Sequence, residues 1–421
     1  MARKMKDSGI EWIGEIPEGW EITKLKYLAT FPIEKNARID SPYIGLENIE
    51  SWTGKYVSSD SQYDKSQALT FSRNNILFGK LRPYLAKVFF ASNDGCCSSE
   101  FCILNFSSSV NIRYFWNLLI SPTFIDHVTK STYGTKMPRA NTDFIKNICV
   151  PVPPHIEQDR IALYLDATSA KIDSLISKIR SGITEYKKLK QAVITQAVTK
   201  GVRGEREMKD SGVEWIGEIP KEWVIQKIKS ISSRINVGVV IRPSEYFDEN
   251  GTVPFLRGIN VKEHLISSDN MVYINESSNR ILSKSQVHTD DILIVRDGSI
   301  GTSCVVPAEF DGANVVSMVI ATPSISCDSR FICYSLNSDV GKTQFTLTKI
   351  GSALTHTSVG AVSDIIVAVP SCAEQKEIAD YLDAKCAEID GLIAKKEQLV
   401  KELESYKKSL IYEVVTGKRE V

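Results

Sequence analysis

The 421-residue sequence predicts an α+β chain: two mixed α/β domains separated by two long paired helices (an antiparallel coiled coil), the whole an internal pseudo-two-fold repeat. Three observations predict this. First, Met5-Lys-Asp-Ser-Gly-Ile-Glu-Trp-Ile-Gly-Glu-Ile-Pro-Glu-Gly-Trp20 returns at 208–223 with 13 of 16 identities, 203 residues later. Second, Pro153, Glu157-Gln158, Ile161-Ala162 and Tyr164-Leu-Asp-Ala167 return 217 residues later, at Pro370, Glu374-Gln375, Ile378-Ala379 and Tyr381-Leu-Asp-Ala384. Third, 156–199 and 373–416 are proline-free and rich in helix-forming residues. A period of half the chain is too long for a solenoid and means two copies of one domain.

In chain order, the first mixed domain spans 1–152 and opens with the block at 5–20. A long helical segment fills 153–205. The second mixed domain spans 206–369 and opens with the block at 208–223, and a second helical segment fills 370–421. Between the flanks the second copy is 14 residues longer (217 against 203). Short β-branched and aromatic runs predict strands at 75–78, 86–90, 291–295, 304–306 and 317–321.

The helical segments share one apolar seam. Ile172, Ile176, Ile183, Tyr186 and Val193 coincide with Ile389, Ile393, Val400, Leu403 and Leu410 at the constant offset of 217. Their spacing alternates near four and three, the a/d pattern of a coiled coil, and Lys190 and Lys407 both fall on an a position. The same narrow stripe on both helices predicts that they pack on each other. Gly201 and Gly417 are expected stops.

Composition narrows the class. Hydrophobic content is 43%, charged content 24% and net charge zero, so charge alone does not coat this chain onto nucleic acid, although a local basic surface remains open. Residues 21–150 carry 15 Lys/Arg against 11 Asp/Glu, and residues 224–369 carry 12 against 14. The sequence predicts no signal peptide and no membrane span, hence a cytoplasmic protein. Nine cysteines without a Cys-x-x-Cys pair predict reduced thiols, and five scattered histidines suggest no metal set.

Catalytic signatures are missing. There is no His-Glu-x-x-His, no Gly-x-Ser-x-Gly and no Asn/Asp-Pro-Pro-Tyr/Phe, and Gly341-Lys342-Thr343 has Leu336 where a phosphate loop needs glycine. Hence no catalytic residue and no cofactor is expected. The stronger signal is basic residues beside aromatics and glycines, because Arg and Lys pair with phosphates or guanine and Asn can bridge adenine. In the first copy these are Arg73, Lys80, Arg82, Tyr84 and Lys87, with Thr135, Lys136, Arg139 and Asn141. In the second they are Arg257, Asn260 and Lys262, then Arg296, Ser299 and Thr302, then Lys349, Ser352, Thr355 and His356. Charged loops are usually only solvated; recurrence at matching places in both copies favours the loops as DNA contacts.

The doubled Glu11-Trp-Ile-Gly-Glu-Ile-Pro-Glu-Gly-Trp20 block, Pro151-Val-Pro-Pro-x-x-Glu-Gln158, Val369-Pro-x-x-x-Glu-Gln375 and the two long helices resemble the specificity subunit of Type I restriction–modification systems over essentially the full chain. The resemblance implies two target recognition domains, each reading one half of a bipartite asymmetric double-stranded DNA site, with the helices fixing the unread gap. It implies two docked modification subunits that bring the adenine methyltransferase site, and restriction subunits in the same system. It also implies that the first opening block and the C-terminal helix come together and close a circular arrangement. Two other readings are separable from this one. A stand-alone methyltransferase or nuclease would act as the isolated chain. A coiled-coil scaffold binding proteins only would leave no DNA footprint.

Overall fold

The computed structural model describes residues 3–35, 42–59, 66–134, 136–347 and 356–421. It divides into two compact units, Met1–Arg180 with Glu397–Val421, and Ser181–Lys396.

Both units are built on one plan. In the first, the central antiparallel sheet orders Ala29–Thr30, Phe101–Phe106, Ile76–Gly79 and Val88–Phe90. A three-stranded sheet pairs Tyr43–Ile44 parallel, and Leu69–Phe71 antiparallel, with Gly95–Cys97. The second unit repeats the central sheet and the short parallel pair, but its third short strand joins the other member of that pair. Ser232–Val237, Met318–Pro323, Ile292–Val295 and Ser303–Val305 form the central sheet. Val253–Leu256 runs parallel to Asn314–Val315 and antiparallel to Val272–Ile274. The predicted strands are present with ends shifted by one or two residues, the usual uncertainty of a boundary.

Each opening block is a small hairpin: Met5–Asp7 pairs with Glu15–Pro17, and Met208–Asp210 with Glu218–Pro220. Its repeated residues have conformational causes. Asp7 and Asp210 accept the amides of Gly9 and Gly212, each at 2.9 Å. Those glycines have φ of +69° and +74°, which side-chain-bearing residues rarely adopt. Trp20 and Trp223 are buried against Tyr114 and Phe331 in edge-on pairs, both at 6.4 Å. After each tryptophan, Glu21–Lys24 pairs with Cys149–Val152, and Val224–Lys227 with Ile366–Val369, tying the entry of each domain to its exit.

The long helices run His155–Lys200 and Cys372–Val415. Glycine follows each end with positive φ, Gly201 at +78° and Gly417 at +73°, the left-handed cap expected of a helix C-terminus. Pairing is antiparallel within each unit. In the first, Asp173 meets Lys407 at 2.7 Å and Arg180 meets Glu404 at 2.7 Å, while Arg160 donates to the Val421 carbonyl. There Ile161, Leu165, Ile172 and Ile176 share a core with Val400, Leu410, Ile411 and Val414. In the second, Lys190 meets Asp390 at 2.6 Å and Arg203 meets Glu377 at 2.7 Å, and Ile194, Ala197 and Val198 share a core with Ile378, Ala379 and Leu382. The seam residues Ile183, Ile389 and Ile393 are also buried, while Tyr186, Val193 and Leu403 are half-buried.

The seam lysines are thus paired. Lys190–Asp390 and Lys407–Asp173 are equivalents at the 217 offset, so one interhelical ion pair occurs twice. Burial alone would raise the Asp173 carboxyl; hydrogen bonds from Lys407 and Lys55 overcome it and hold its pKa below the usual carboxylate range. A polar pair in an apolar seam costs desolvation but fixes register.

The contact expected between the first opening block and the C-terminal helix is present within the first unit. Lys418 Nζ donates to the Ile13 carbonyl at 3.0 Å, and the hydroxyl of Tyr114 donates to the Val415 carbonyl at 2.9 Å. A Cβ on Gly417 would stand 2.4 Å from Pro17. The block at 208–223 packs in the same way on the end of the first long helix, through Ile216, Ile219 and Trp223 against Ile194 and Ala197.

Candidate nucleic-acid interface

Two loops about sixty residues apart in sequence meet in each copy. In the first, the segment at 80–86 is laced to that at 133–140. The amide of Ala140 donates to the Lys80 carbonyl at 2.9 Å, and that of Arg82 to the Pro138 carbonyl at 2.7 Å. Leu81 and Arg139 face each other as an isolated antiparallel bridge, and Tyr133 exchanges two hydrogen bonds with Arg139. The second copy repeats the lacing. Thr357 donates to the Arg296 carbonyl at 3.1 Å, and Asp297 bridges His356 where Leu81 bridges Arg139. Ala140 and Thr357, like Arg139 and His356, are equivalents at offset 217. One scaffold therefore presents two differently furnished tips.

The first tip carries exposed Arg82, Tyr84, Tyr133, Lys136 and Met137. Arg82 holds φ of +51° ahead of Pro83, a left-handed conformation that a non-glycine residue keeps only where its surroundings impose it, and such strain collects at functional sites. Arg139 is less free: it forms a 2.5 Å ion pair with Glu100. Lys80 is half-buried at the tip's base, and Arg73 is exposed beyond it. Lys87 turns inward and donates to the Leu46 carbonyl at 2.6 Å, and burial lowers its pKa. Asn141 caps the helix Thr142–Asn147, accepting from the amide of Asp143 at 2.8 Å, and its side chain lies at the surface. Thr135 lies outside the described residues.

In the second copy Arg296 is half-buried, its Nε donating to the Thr357 carbonyl at 3.1 Å; Ser299 is exposed and Thr302 partly so. Lys262 is exposed, while Arg257 donates to the Asn270 carbonyl. Asn260 is buried and fully engaged: it accepts from the Arg257 amide at 3.1 Å and donates to the carbonyls of Ser267 and Asp269. Asn48 makes the same cap on Gly45, so this asparagine recurs because the turn needs it, and no polar atom is left to read a base. Lys349, Ser352 and Thr355 lie outside the described residues, whereas His356 is partly buried in its bridge.

Each tip stands on a domain anchored to its long helix by residues whose role the sequence did not disclose. Gln158 accepts from the Asn111 amide at 2.8 Å and donates to the Pro153 carbonyl at 2.9 Å. Gln375 does the same with Asp328 and Pro370, at 2.9 and 3.0 Å. Glu157 accepts from the Trp20 indole at 2.9 Å and pairs with Arg3, whose guanidinium also lies over the Trp20 ring. Glu374 and Arg206 repeat the ion pair and the stacking at Trp223, but the buried Trp223 indole nitrogen makes no hydrogen bond. Arg3 and Arg206 share the 203 offset of the opening block, and that spacing is the signal that finds them. Among the described residues no cluster of His, Cys, Asp and Glu could hold a metal ion, and no helix is long and apolar enough to cross a membrane.

Comparison with known proteins bears on this geometry. The family described as Type I restriction modification DNA specificity domain matches twice, over residues 17–185 and 220–402. The chain is 25% identical over 420 residues to the Type I restriction enzyme MjaVIII specificity subunit of Methanocaldococcus jannaschii, covering 96% of this chain and 93% of that protein. It is 27% identical to the Type I restriction enzyme EcoDI specificity subunit of Escherichia coli, over 43% of this chain and 42% of that one. Its fold is similar to a solved chain of a type I R-M system, with a TM-score of 0.76 at 18% identity over 96% of this chain and 99% of that one. The HsdS subunit from Thermoanaerobacter tengcongensis gives 0.52, also at 18% identity, over 96% and 98%. With one family match on each tip-bearing half, the chain belongs to the Type I restriction–modification DNA specificity family, as a specificity subunit with two recognition domains.

Proposed function

We propose that the two tips are the DNA-reading surfaces, each addressing one half of a bipartite, asymmetric site, and that the recognition domains span 1–152 and 206–369. The observation that carries this reading is the doubled lacing, one scaffold bearing Arg82, Tyr84 and Lys136 in one copy and Arg296, Ser299 and His356 in the other. Like scaffolds with unlike side chains suit two unlike half-sites. The helices at 153–205 and 370–421 set the gap and dock two modification subunits, which supply methyl transfer; restriction subunits join the same complex, which works in the cytoplasm.

The heptad pattern supports docking of two like partners. With Lys190 and Lys407 at a positions, Leu175, Leu189, Leu392, Leu399 and Tyr406 all fall at g, on one outer flank, and all are exposed. The first unit carries Leu175, Leu399 and Tyr406, and the second carries Leu189 and Leu392. Leu175 and Leu392, like Leu189 and Tyr406, are equivalents at offset 217. Two like apolar patches suit two copies of one partner.

The test is a methylome of cells expressing this chain with its modification partner, against cells lacking this chain. A bipartite adenine-methylation motif that appears only with the chain is expected, and replacing residues 21–152 by another reader should change one half of it. Both halves surviving that exchange would refute the assignment.

A further inference from the structure

Beside the charged tip of the second recognition domain lies an apolar surface that neither core accounts for. Ile241 is 80% exposed and Ile281 75% exposed, with Val240 next to them also exposed. They line an open cavity of about 410 Å³ together with Tyr246 and Lys284. Single exposed aliphatics are ordinary, but adjacent ones around one cavity mark a contact surface. Arg242, next in sequence, holds φ of +45° ahead of Pro243, as Arg82 does ahead of Pro83.

Hydrogen bonds join this surface to the tip. The amide of Ser317 donates to the Val239 carbonyl at 3.0 Å, and its hydroxyl donates to Asp297 at 3.0 Å. Asp297 is the residue that bridges His356. The first copy has a counterpart in the same loop, after the first strand of its central sheet: Ile33 is 68% exposed and lines a cavity with Lys80, the base of that tip. An aliphatic side chain beside a cationic tip thus occurs in both copies.

The rim decides the occupant. Lys284 lines the cavity, and Arg242 and Arg280 adjoin Ile241 and Ile281 in sequence, each in an exposed ion pair, with Glu245 and Glu276, of the kind readily exchanged for phosphate contacts. An apolar contact inside a cationic rim matches the DNA major groove, where the one apolar group on a base edge is the C5-methyl of thymine.

We propose that Ile241, with Val240 and Ile281, reads thymine methyl groups in the second half-site, and that Ile33 does so in the first. This rests on the reading of the tips as DNA-facing. The measurement uses the assembled complex and the half-sites defined by the methylome. Every thymine of the second half-site is replaced by deoxyuracil, which keeps all hydrogen-bonding edges and lacks only the methyl. Affinity should fall about fourfold per methyl contact, the factor that corresponds to roughly 0.8 kcal/mol for one buried CH₂. Ile241→Ser should lose the same factor on the thymine duplex and nothing further on the deoxyuracil duplex, with the first half-site unaffected. Ile33→Ser should give the mirror result. Equal binding of both duplexes by the unaltered complex, full methyl discrimination by Ile241→Ser, or a second half-site without thymine would each overturn the proposal. If Arg296→Ala still weakens the second half-site in such a case, the tips remain DNA-facing and only the methyl contact fails.

Discussion

Aspartate substitutions at Ile176 and Ile393 should separate two helix positions that sequence logic treats as equal. They are equivalents at offset 217 and equally buried, at 7% and 8% exposure. Heptad reasoning therefore predicts the same damage from a buried, unpartnered charge. However, Ile176 borders a cavity of about 440 Å³ in the first unit, lined also by Lys55, Arg180, Lys407 and Lys408. A carboxylate there meets water and Lys408, while Lys55, Lys407 and Arg180 already hold Asp173 and Glu404 on the same wall. At the positions equivalent to Arg180 and Lys408 the repeat places Glu397 and Gln191. Either substitution forfeits about 2 kcal/mol of isoleucine burial. An uncompensated carboxylate at 393 adds about 2 kcal/mol more. The gap of about 2 kcal/mol corresponds to roughly 4–8 °C in unfolding midpoint for a unit of this size. Thermal unfolding of both variants, with Ile176→Ala and Ile393→Ala as size controls, measures it. Equal midpoints for the two aspartate variants, or a lower one for Ile176→Asp, would refute the reasoning. In DNA binding, both should weaken the two half-sites together, since each disturbs the shared helices. Full binding with an unchanged gap would remove the helices from spacing.

Three further predictions concern individual side chains. Arg82→Ala should weaken only the first half-site, by roughly 1–3 kcal/mol if its fork is bidentate to a base. Asn260→Ala should instead lower the stability of the second recognition domain, because three backbone groups of its turn lose the bond that the buried Asn260 side chain supplies; competition binding and thermal unfolding of each variant distinguish them. His264 gives a pH dependence. Burial lowers its imidazole to about 4 from the ordinary 6.5, and it packs on Tyr334 and Cys333. The unfolded chain takes up this proton below about pH 6.5 and the folded chain only near 4. Its stabilising contribution is therefore full above pH 6.5 and is lost as pH falls from there toward 4. His264→Asn, which tolerates the residue's φ of +63°, should flatten that part of a midpoint-against-pH curve, and an unchanged slope would contradict it.

The sequence alone carried the architecture, because repetition is a property of order. Two offsets, 203 and 217, locate the opening blocks, the helix seams and their glycine caps, and the heptad stripe predicts which helix faces meet. It also located the tip loops by their basic and glycine-rich character. It could not say which residues in them are free, because freedom is decided by neighbours distant in sequence. Asn260 resembled a base reader until its turn claimed all of its hydrogen bonds. Arg82 and Arg139 looked alike until Glu100 engaged one of them. The Glu-Gln repeat was visible without a role, since Trp20 and Glu157 are 137 residues apart and meet only when the chain folds. Pattern in sequence fixes which segments form helices and strands and which faces are apolar; exposure, strain and the partner of each polar group exist only in the packed structure, where burial makes each unmet hydrogen bond costly.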